Sequence, residues 1–248
     1  MNASASLAPT PLSGPTPVAL ADLLARPDLW RGDALAATAL PGLPTGYRAL
    51  DRQLPGGGWP SQSLSEILAA PGTGVAGLLA PALAAARGGV LLVAPPRGVY
   101  APGWASVGLD PARLLVVEAG GRDGAWACET ALAEGGLGAV LAWLPDIDAR
   151  GLRRLQLAAE GFAGAAFLVR PPARAREASP APLRLALKSL PQGLEVTLLK
   201  RRGGALTRPL TLVPPLPVAR FLERDRALAR PAISPLAPGR PVPLPLPV

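Results

Sequence analysis

The sequence predicts an α/β domain with a mostly parallel sheet, antiparallel strands at one edge, and a phosphate-binding loop whose chemistry has been removed. Three observations predict this fold class. Short apolar runs alternate with helical stretches from residue 63 to residue 169, as is typical of a buried parallel sheet. Beyond Pro171-Pro172, two strictly alternating stretches at 183–187 and 194–198 flank a turn and indicate antiparallel strands. Between the first strand and the first helix of this alternation lies a turn of small residues.

The elements follow one another in a regular order. Residues 43–51 form a turn that enters a short helix, and residues 54–60 form a rigid glycine-rich loop. Apart from the antiparallel pair, the predicted strands are 63–68, 90–94, 114–117, 140–144, 166–169 and 210–213. The predicted helices are 75–87, 101–107, 123–133 and 148–162, the last with several arginines on what we expect to be a solvated face.

The turn after the first strand fits the geometry of a P-loop but lacks its chemistry. The P-loop pattern is G-x-x-x-x-G-K-[ST], between a strand and a helix. Laid on this pattern, Ala69 replaces the first glycine and Gly74 keeps the second. Val75 stands in place of the lysine and Ala76 in place of the magnesium-binding hydroxyl. The sequence therefore predicts a degenerate nucleotide site.

The cost of that loss can be weighed. Taking an ion out of water costs several kcal/mol unless it is paired. Without the lysine and the hydroxyl, the β- and γ-phosphates of a nucleotide have no local partner. Gly72-Thr73-Gly74 could still form a weak anion nest, with Thr73 supplying one hydroxyl. The alternative is that this segment is a tight turn between a strand and a helix.

The composition divides the 248 residues into four segments. Residues 1–17 are rich in Ala, Ser, Pro and Thr and are expected to be a disordered leader; no Lys or Arg precedes Arg26, so this is not a signal-peptide pattern. Residues 18–42 are expected to hold a helix at 18–26 and a linker. Residues 43–215 form the folded domain. Residues 216–248 are rich in proline and are expected to be a largely disordered, polyproline-like tail.

Charge and cysteine content narrow the functional classes. The net charge of +8 suggests an anionic partner such as nucleic acid, although the Arg-, Ala-, Gly- and Pro-rich composition of a GC-rich genome gives the same excess. The chain has no histidine, which removes the usual catalytic triads and most zinc sites. A single cysteine, Cys128, lies in a helical stretch and is expected to be a buried thiol in a reducing, cytoplasmic compartment. No apolar stretch has the ~18 residues that suggest a membrane span.

The order of these motifs resembles the RecA-like P-loop NTPase core. Residues 43–51 look like the "TG-x-x-x-LD" entry to that domain, and residues 56–60 with Glu66-Ile67 look like its approach to the P-loop strand. More specifically, the chain is similar to the ImuA family, the RecA-like accessory proteins of bacterial mutagenic translesion synthesis. The segments that carry this similarity span residues 43–213; they are 54–60, 94–96, 100–102, 126–129, 138–143 and 199–204.

The resemblance implies that two further catalytic positions are vacant. Active RecA-like enzymes carry a glutamate near the end of the strand that follows the P-loop helix, where this chain reads Ala94-Pro95-Pro96-Arg97. A Walker B strand ends in Asp, whereas here the strand Val140-Leu141-Ala142-Trp143 ends in Leu144-Pro145 and Asp146 comes two residues late. Because phosphoryl transfer asks the protein for positioning and electrostatics, we expect no ATPase activity, no catalytic residue and no bound cofactor.

One charged motif remains, the basic turn Lys200-Arg201-Arg202. In RecA filaments the matching strand end lies at a protomer interface, so this turn is a candidate contact for a partner protein, for DNA phosphates or for the ATP of a recombinase protomer. The alternative is a solvated hairpin tip.

The resemblance implies a catalytically inactive adaptor in the SOS response to DNA damage. Its implied partners are an inactive Y-family polymerase homologue, an error-prone C-family polymerase and, as a further candidate, RecA. The alternatives are a cell-division inhibitor like SulA that binds the tubulin-like division protein, a nucleotide-dependent recombinase, or a non-specific DNA binder whose affinity falls steeply with salt.

Overall fold

The computed structural model of the protein describes residues 40–96, 100–202 and 208–214. These residues form one mixed sheet with helices on its faces. The predicted leader, the helix at 18–26, the tail at 216–248 and Arg97 lie outside the described residues.

The described part contains five α-helices and eight strands. The helices are α1 (Arg48–Asp51), α2 (Val75–Ala85), α3 (Ala101–Ser106), α4 (Gly121–Glu134) and α5 (Ala149–Ala159), with two short 3₁₀ turns at Pro111–Arg113 and Pro172–Arg176. The strands are β1 (Leu64–Leu68), β2 (Gly89–Val93), β3 (Leu114–Val117), β4 (Leu137–Trp143), β5 (Ala165–Arg170), β6 (Leu183–Leu190), β7 (Gly193–Lys200) and β8 (Leu210–Leu212).

All eight strands join one sheet in the order β3-β2-β4-β5-β1-β6-β7-β8. The first six strands in this order pair in parallel. β7 pairs antiparallel with both β6 and β8. This arrangement fits the Rossmann- and RecA-like class of α/β folds and confirms the predicted mostly parallel sheet with antiparallel edge strands. Because β1 lies in the interior of the sheet, the turn that follows it opens at the middle of the carboxyl edge.

Each face of the sheet carries its own apolar layer. On one face, α2 packs Leu78, Leu79 and Leu83 against the sheet, next to the buried Trp59. On the other face, α4 contributes Cys128 and Leu132 and α5 contributes three further residues, Leu152, Leu155 and Ala159. The helices bury the central strands, and the run of residues 64–68 is buried at every position. The run at 114–117, expected as a buried strand, forms the edge strand β3 and exposes Leu115 and Val116.

The segment before β1 is held against the chain that precedes it. The backbone N–H groups of Leu43 and Trp59 each donate to the other residue's carbonyl at 2.7 Å. Glycine is required in this bridge, since a Cβ at Gly58 would lie 2.2 Å from the carbonyl oxygen of Leu43. The rigid loop predicted at 54–60 thus fixes where β1 enters the sheet, and the indole of Trp59 packs edge-on to Phe167 with ring centroids 5.1 Å apart.

Most predicted elements are confirmed, and the differences lie at their ends. β4 begins at Leu137, before the predicted strand at 140–144, and α5 ends at Ala159, before the predicted end at 162. Strand β1 was predicted from apolar residues alternating with Ser and Glu. Its Glu66 does not face solvent but is fully buried, for a reason described below. Within the described ranges no helix has the length and apolarity to cross a membrane.

Candidate functional site

The turn between β1 and α2 is closed by its own hydrogen bonds. Gly72 and Gly74 have φ of 80° and 92°, in the left-handed region that favours glycine. The hydroxyl of Thr73 donates to the carbonyl oxygen of Ala70 at 2.5 Å, and the Ser189 hydroxyl on β6 donates to the Thr73 carbonyl at 3.2 Å. Thr73 is 8% exposed, and its hydroxyl is bonded within the loop, so this hydroxyl is not available to an anion.

Three positions to which the resemblance assigns the catalytic groups of RecA-like enzymes line one open groove at the carboxyl edge of the sheet. Val75 begins α2 and is buried, Ala94 follows β2, and Trp143 ends β4. All three line a groove of about 990 Å³, together with the turn 69–74. Parallel strands end at the same edge of a sheet, which is where ligands bind in open α/β folds. The structure therefore brings together three positions that are 19 and 49 residues apart in sequence (94 − 75 and 143 − 94).

The groove is lined mainly by apolar and small residues. Within the described lining, Arg170 carries the one formal charge. Asp146, the acid that comes late for a Walker B position, lies outside the groove: its side chain is 86% exposed and accepts from Arg174 at 3.4 Å. A groove of this composition has little to offer a phosphate, because burying an anion without a partner is unfavourable.

The charge of Arg170 is neutralised by a buried ion cluster on the α5 face of the sheet. Its Nη1 donates to Glu66 Oε1 at 2.9 Å, and its Nη2 donates to Glu177 Oε2 at 2.9 Å. Arg184 Nε donates to Glu66 Oε2 at 2.7 Å. The side chains of Glu66, Arg170 and Arg184 are 0%, 1% and 8% exposed. One carboxylate is therefore held between two buried guanidinium groups.

The cluster also anchors the segment that follows β5. Arg184 donates to the backbone carbonyls of Arg174, Ala175 and Glu177 at 3.0 to 3.3 Å. Arg174 donates to the Glu177 carboxylate at 2.7 Å. Residues 172–177 thus lie over β1 and β6 on the same face of the sheet as α4 and α5.

Hydrogen bonding decides the ionisation of Glu66. Burial alone would raise the pKa of its carboxyl, but hydrogen bonds from Ser179, Arg184 and Arg170, with the positive charge of Arg184, bring the pKa below its usual value. The pKa of Glu177 is also lowered, by hydrogen bonds from Arg174 and Arg170. Both carboxylates are therefore charged at neutral pH and keep Arg170 paired.

Sequence reasoning missed this cluster because its members come from three strands. Glu66 pairs across the sheet with residues of β5 and β6, 104 and 118 positions away from the two arginines it binds. The available signal was a charged residue next to buried apolar residues in each of three strands, Glu66 in β1, Arg170 in β5 and Arg184 in β6. A charge in such a strand is buried only if a neighbouring strand supplies the opposite charge.

The basic turn lies at the edge of the sheet opposite the groove. β7 runs antiparallel to β6, so its last residue, Lys200, faces Arg184 near the start of β6. The Lys200 ammonium donates to the Ser179 carbonyl at 2.8 Å, and Arg201 donates to the Gln53 carbonyl. Arg202 is exposed. The structure therefore does not place this turn beside the degenerate loop of the same chain.

The arginines of α5 and the single cysteine, which the sequence also singled out, have ordinary structural roles. Arg150, Arg153 and Arg154 are exposed on α5, and Arg154 pairs with Glu129 of α4. Cys128 is buried, and burial together with the charge of Glu129 raises the pKa of its thiol to about 12. The predicted buried thiol is confirmed.

No protein-family model and no curated protein sequence matches this chain.

Proposed function

We propose that this protein is a non-catalytic adaptor of mutagenic translesion DNA synthesis, built on a RecA-like core that has lost its nucleotide chemistry. The observation that carries the proposal is the convergence of Val75, Ala94 and Trp143 on one apolar groove. These are the positions where a RecA-like enzyme places its P-loop lysine, its catalytic glutamate and the end of its Walker B strand. A single loss can be compensated nearby, but here every replacement is apolar, and the described lining of the groove holds no charge beyond the paired Arg170.

Electrostatics argues against a residual nucleotide enzyme. Phosphoryl transfer depends on cations that stabilise the charge of the transferred group. The guanidinium of Arg170, the one charged group of the described lining, is bonded to Glu66 and Glu177. Redirecting it to a phosphate would leave Glu66 paired with Arg184 alone in the core. Removing one partner of a buried ion pair costs about 3–5 kcal/mol, so this exchange is unfavourable.

The partners follow from the resemblance to the ImuA family. They are an inactive Y-family polymerase homologue, an error-prone C-family polymerase and RecA. The basic turn is the proposed contact surface, because Arg202 is exposed there and the turn lies away from the groove. Lys200 and Arg201 hold the turn in place through their bonds to backbone carbonyls.

The first experiment is a pull-down of the tagged protein from DNA-damaged cells. Wild type should recover the polymerase homologue and RecA. The variant Arg202→Glu should lose them, whereas Arg153→Glu, an equal charge change on the exposed face of α5, should not. Recovery of neither partner by wild type would contradict the adaptor proposal. Recovery of the tubulin-like division protein alone would favour a cell-division inhibitor like SulA. Equal recovery by both variants would contradict only the role of the basic turn.

A second experiment addresses catalysis. Purified wild type is expected to hydrolyse no Mg-ATP, with or without single-stranded DNA. Thr73→Val removes the one hydroxyl of the loop 72–74 while conserving its volume. If wild type hydrolyses ATP and this variant does not, the loop is an active site. That result would contradict the proposal of a non-catalytic adaptor.

A further inference from the structure

The groove at the degenerate loop is larger than a vestige of a lost site needs to be. It measures about 990 Å³ and is open to solvent, with Tyr100 71% exposed on its wall. Ligand pockets generally fall in the range of about 300–1,000 Å³. The adaptor function proposed above uses the opposite edge of the sheet and leaves this groove unexplained.

The lining selects the chemistry of the occupant. Because the guanidinium of Arg170 is already paired, an anionic ligand would meet no available cation among the described lining residues. Tyr100, Trp104 and Trp143 present aromatic rings, and several prolines lie between them. Aromatic-lined grooves of this kind bind proline-rich segments, whose extended polyproline conformation loses little entropy on binding.

The chain carries such a segment directly after a residue that lines the groove. Pro214, the last described residue, lines the groove and lies beside the first turn of α2: a Cβ built on Gly77 would be 3.1 Å from the Pro214 side chain. The sequence continues Pro-Leu-Pro-Val-Ala-Arg-Phe-Leu over residues 215–222. Seven of these eight residues are apolar, so the segment matches the lining in chemistry.

We propose that the groove is a binding site for a proline-rich apolar peptide and that residues 215–222 of this chain are its occupant. The dimensions of the groove allow this occupancy. A groove of 990 Å³ is about 12 Å across if it is treated as a sphere, and four residues of polyproline helix at ~3.1 Å each span that width. Attachment at Pro214 gives the segment an effective concentration in the millimolar range, so that even a weak peptide site is occupied. A competing proline-rich partner must displace it.

Hydroxyl-radical footprinting of the full-length chain tests this assignment residue by residue. The test variant replaces Leu216, Val218 and Phe221 with Asp, which places three charges in the segment and changes nothing in the described domain. Oxidation of Tyr100 and Trp104 should rise several-fold in the variant. Trp126 on α4, which is 64% exposed and outside the groove lining, should be oxidised equally in both proteins. Trp59, fully buried, reports any unfolding.

The remaining outcomes separate the possible occupants. Protection of Tyr100 and Trp104 in wild type must be independent of protein concentration; protection that grows with concentration means that a second copy fills the groove, and the assignment in cis is wrong. Equal oxidation in wild type and variant means that the segment does not bind. If Trp59 also becomes oxidised, a synthetic peptide of residues 215–222 is added to wild type truncated after Pro214, and failure to restore protection overturns the proposal. None of these readouts depends on the adaptor function.

Discussion

Glu66 is the residue whose replacement tests the buried ion cluster most directly. Glu66→Gln keeps the size and one acceptor of the side chain but removes its charge. Arg170 and Arg184 would then be two buried guanidinium groups without the carboxylate that they share, which lies 2.9 Å and 2.7 Å from them. Arg170 would keep Glu177, whereas Arg184 would keep only backbone carbonyls.

The expected loss of stability is large. Breaking a buried pair costs about 3–5 kcal/mol, because the remaining charge stays in the core without compensation. This is a large fraction of the 5–15 kcal/mol that typically separates folded from unfolded domains. The matched control is Glu129→Gln, which removes the ion pair with Arg154, a side chain that is 55% exposed. An exposed pair of this kind contributes about 0–1 kcal/mol.

The assay is urea unfolding followed by far-ultraviolet circular dichroism at pH 7. With a slope of about 2 kcal/mol per molar urea, a loss of 4 kcal/mol lowers the midpoint by about 2 M. Glu129→Gln should move it by no more than about 0.5 M. A loss below about 1 kcal/mol for Glu66→Gln would refute the reasoning, since the carboxylate would then have no net role in holding the two guanidinium groups.

The pH dependence supplies an independent check. The pKa of Glu66 in the folded protein lies below the ordinary value of 4.5 for this carboxyl group. Its charge therefore contributes stability that is present above the unfolded-state pKa and is lost as the pH falls through the folded-state pKa. The stability gap between wild type and Glu66→Gln should be constant above about pH 5 and should close below it. A gap that widens at low pH would contradict the assignment.

Four further predictions concern three side chains, Cys128, Tyr47 and Phe167. Cys128 should react with a thiol reagent at pH 8 about a thousandfold more slowly in the native than in the unfolded protein, because its pKa is raised from 9.0 to about 12; equal rates would show that the thiol is not buried. Tyr47→Phe should cost about 0.5–1.5 kcal/mol in urea unfolding, since the hydroxyl donates to the Gly77 carbonyl at 2.8 Å. Titration of Tyr47 followed by ultraviolet absorbance should give a pKa of about 12, raised by burial, and a midpoint near 10 would contradict this. Phe167→Ala should cost about 3–5 kcal/mol by removing the edge-on contact with Trp59 and leaving a cavity, and a cost below 1 kcal/mol would show that the site collapses freely.

The fold class could be predicted because its signals are local. A continuous apolar run such as residues 90–93 indicates a strand, and so does strict alternation at 183–187. Burial depends on the place in the sheet: the apolar run at 114–117 is half exposed at the sheet edge, and Arg184 in the alternating run is buried. The pairing of β6 with β7 was predictable as well, since only Pro191-Gln192 separates them. Errors at element ends, as at Leu137, arise because the two glycines before it carry little periodic signal.

The candidate site was predictable only in part. Val75 and Ala76 could be compared with the P-loop pattern by position, so the loss of the lysine and the hydroxyl is visible in the sequence. The sequence left open whether Thr73 serves a weak anion nest or a tight turn, and the structure directs its hydroxyl to the carbonyl of Ala70, as in a tight turn. That bond depends on the curvature of the turn, which composition does not reveal.

By itself the sequence determined the order of the elements, the mixed sheet and the presence of Val75, Ala94 and Trp143 where the RecA-like resemblance expects charged groups. Only the tertiary structure decided what replaced them: one apolar groove, a neutralised Arg170, and a basic turn at the far edge of the sheet. The physical reason is the sequence distance over which each kind of information acts. Periodicity and motifs act over a few residues, whereas Glu66 meets Arg184 across 118 positions, and Trp143 meets Val75 at a common edge only because strand order brings them there.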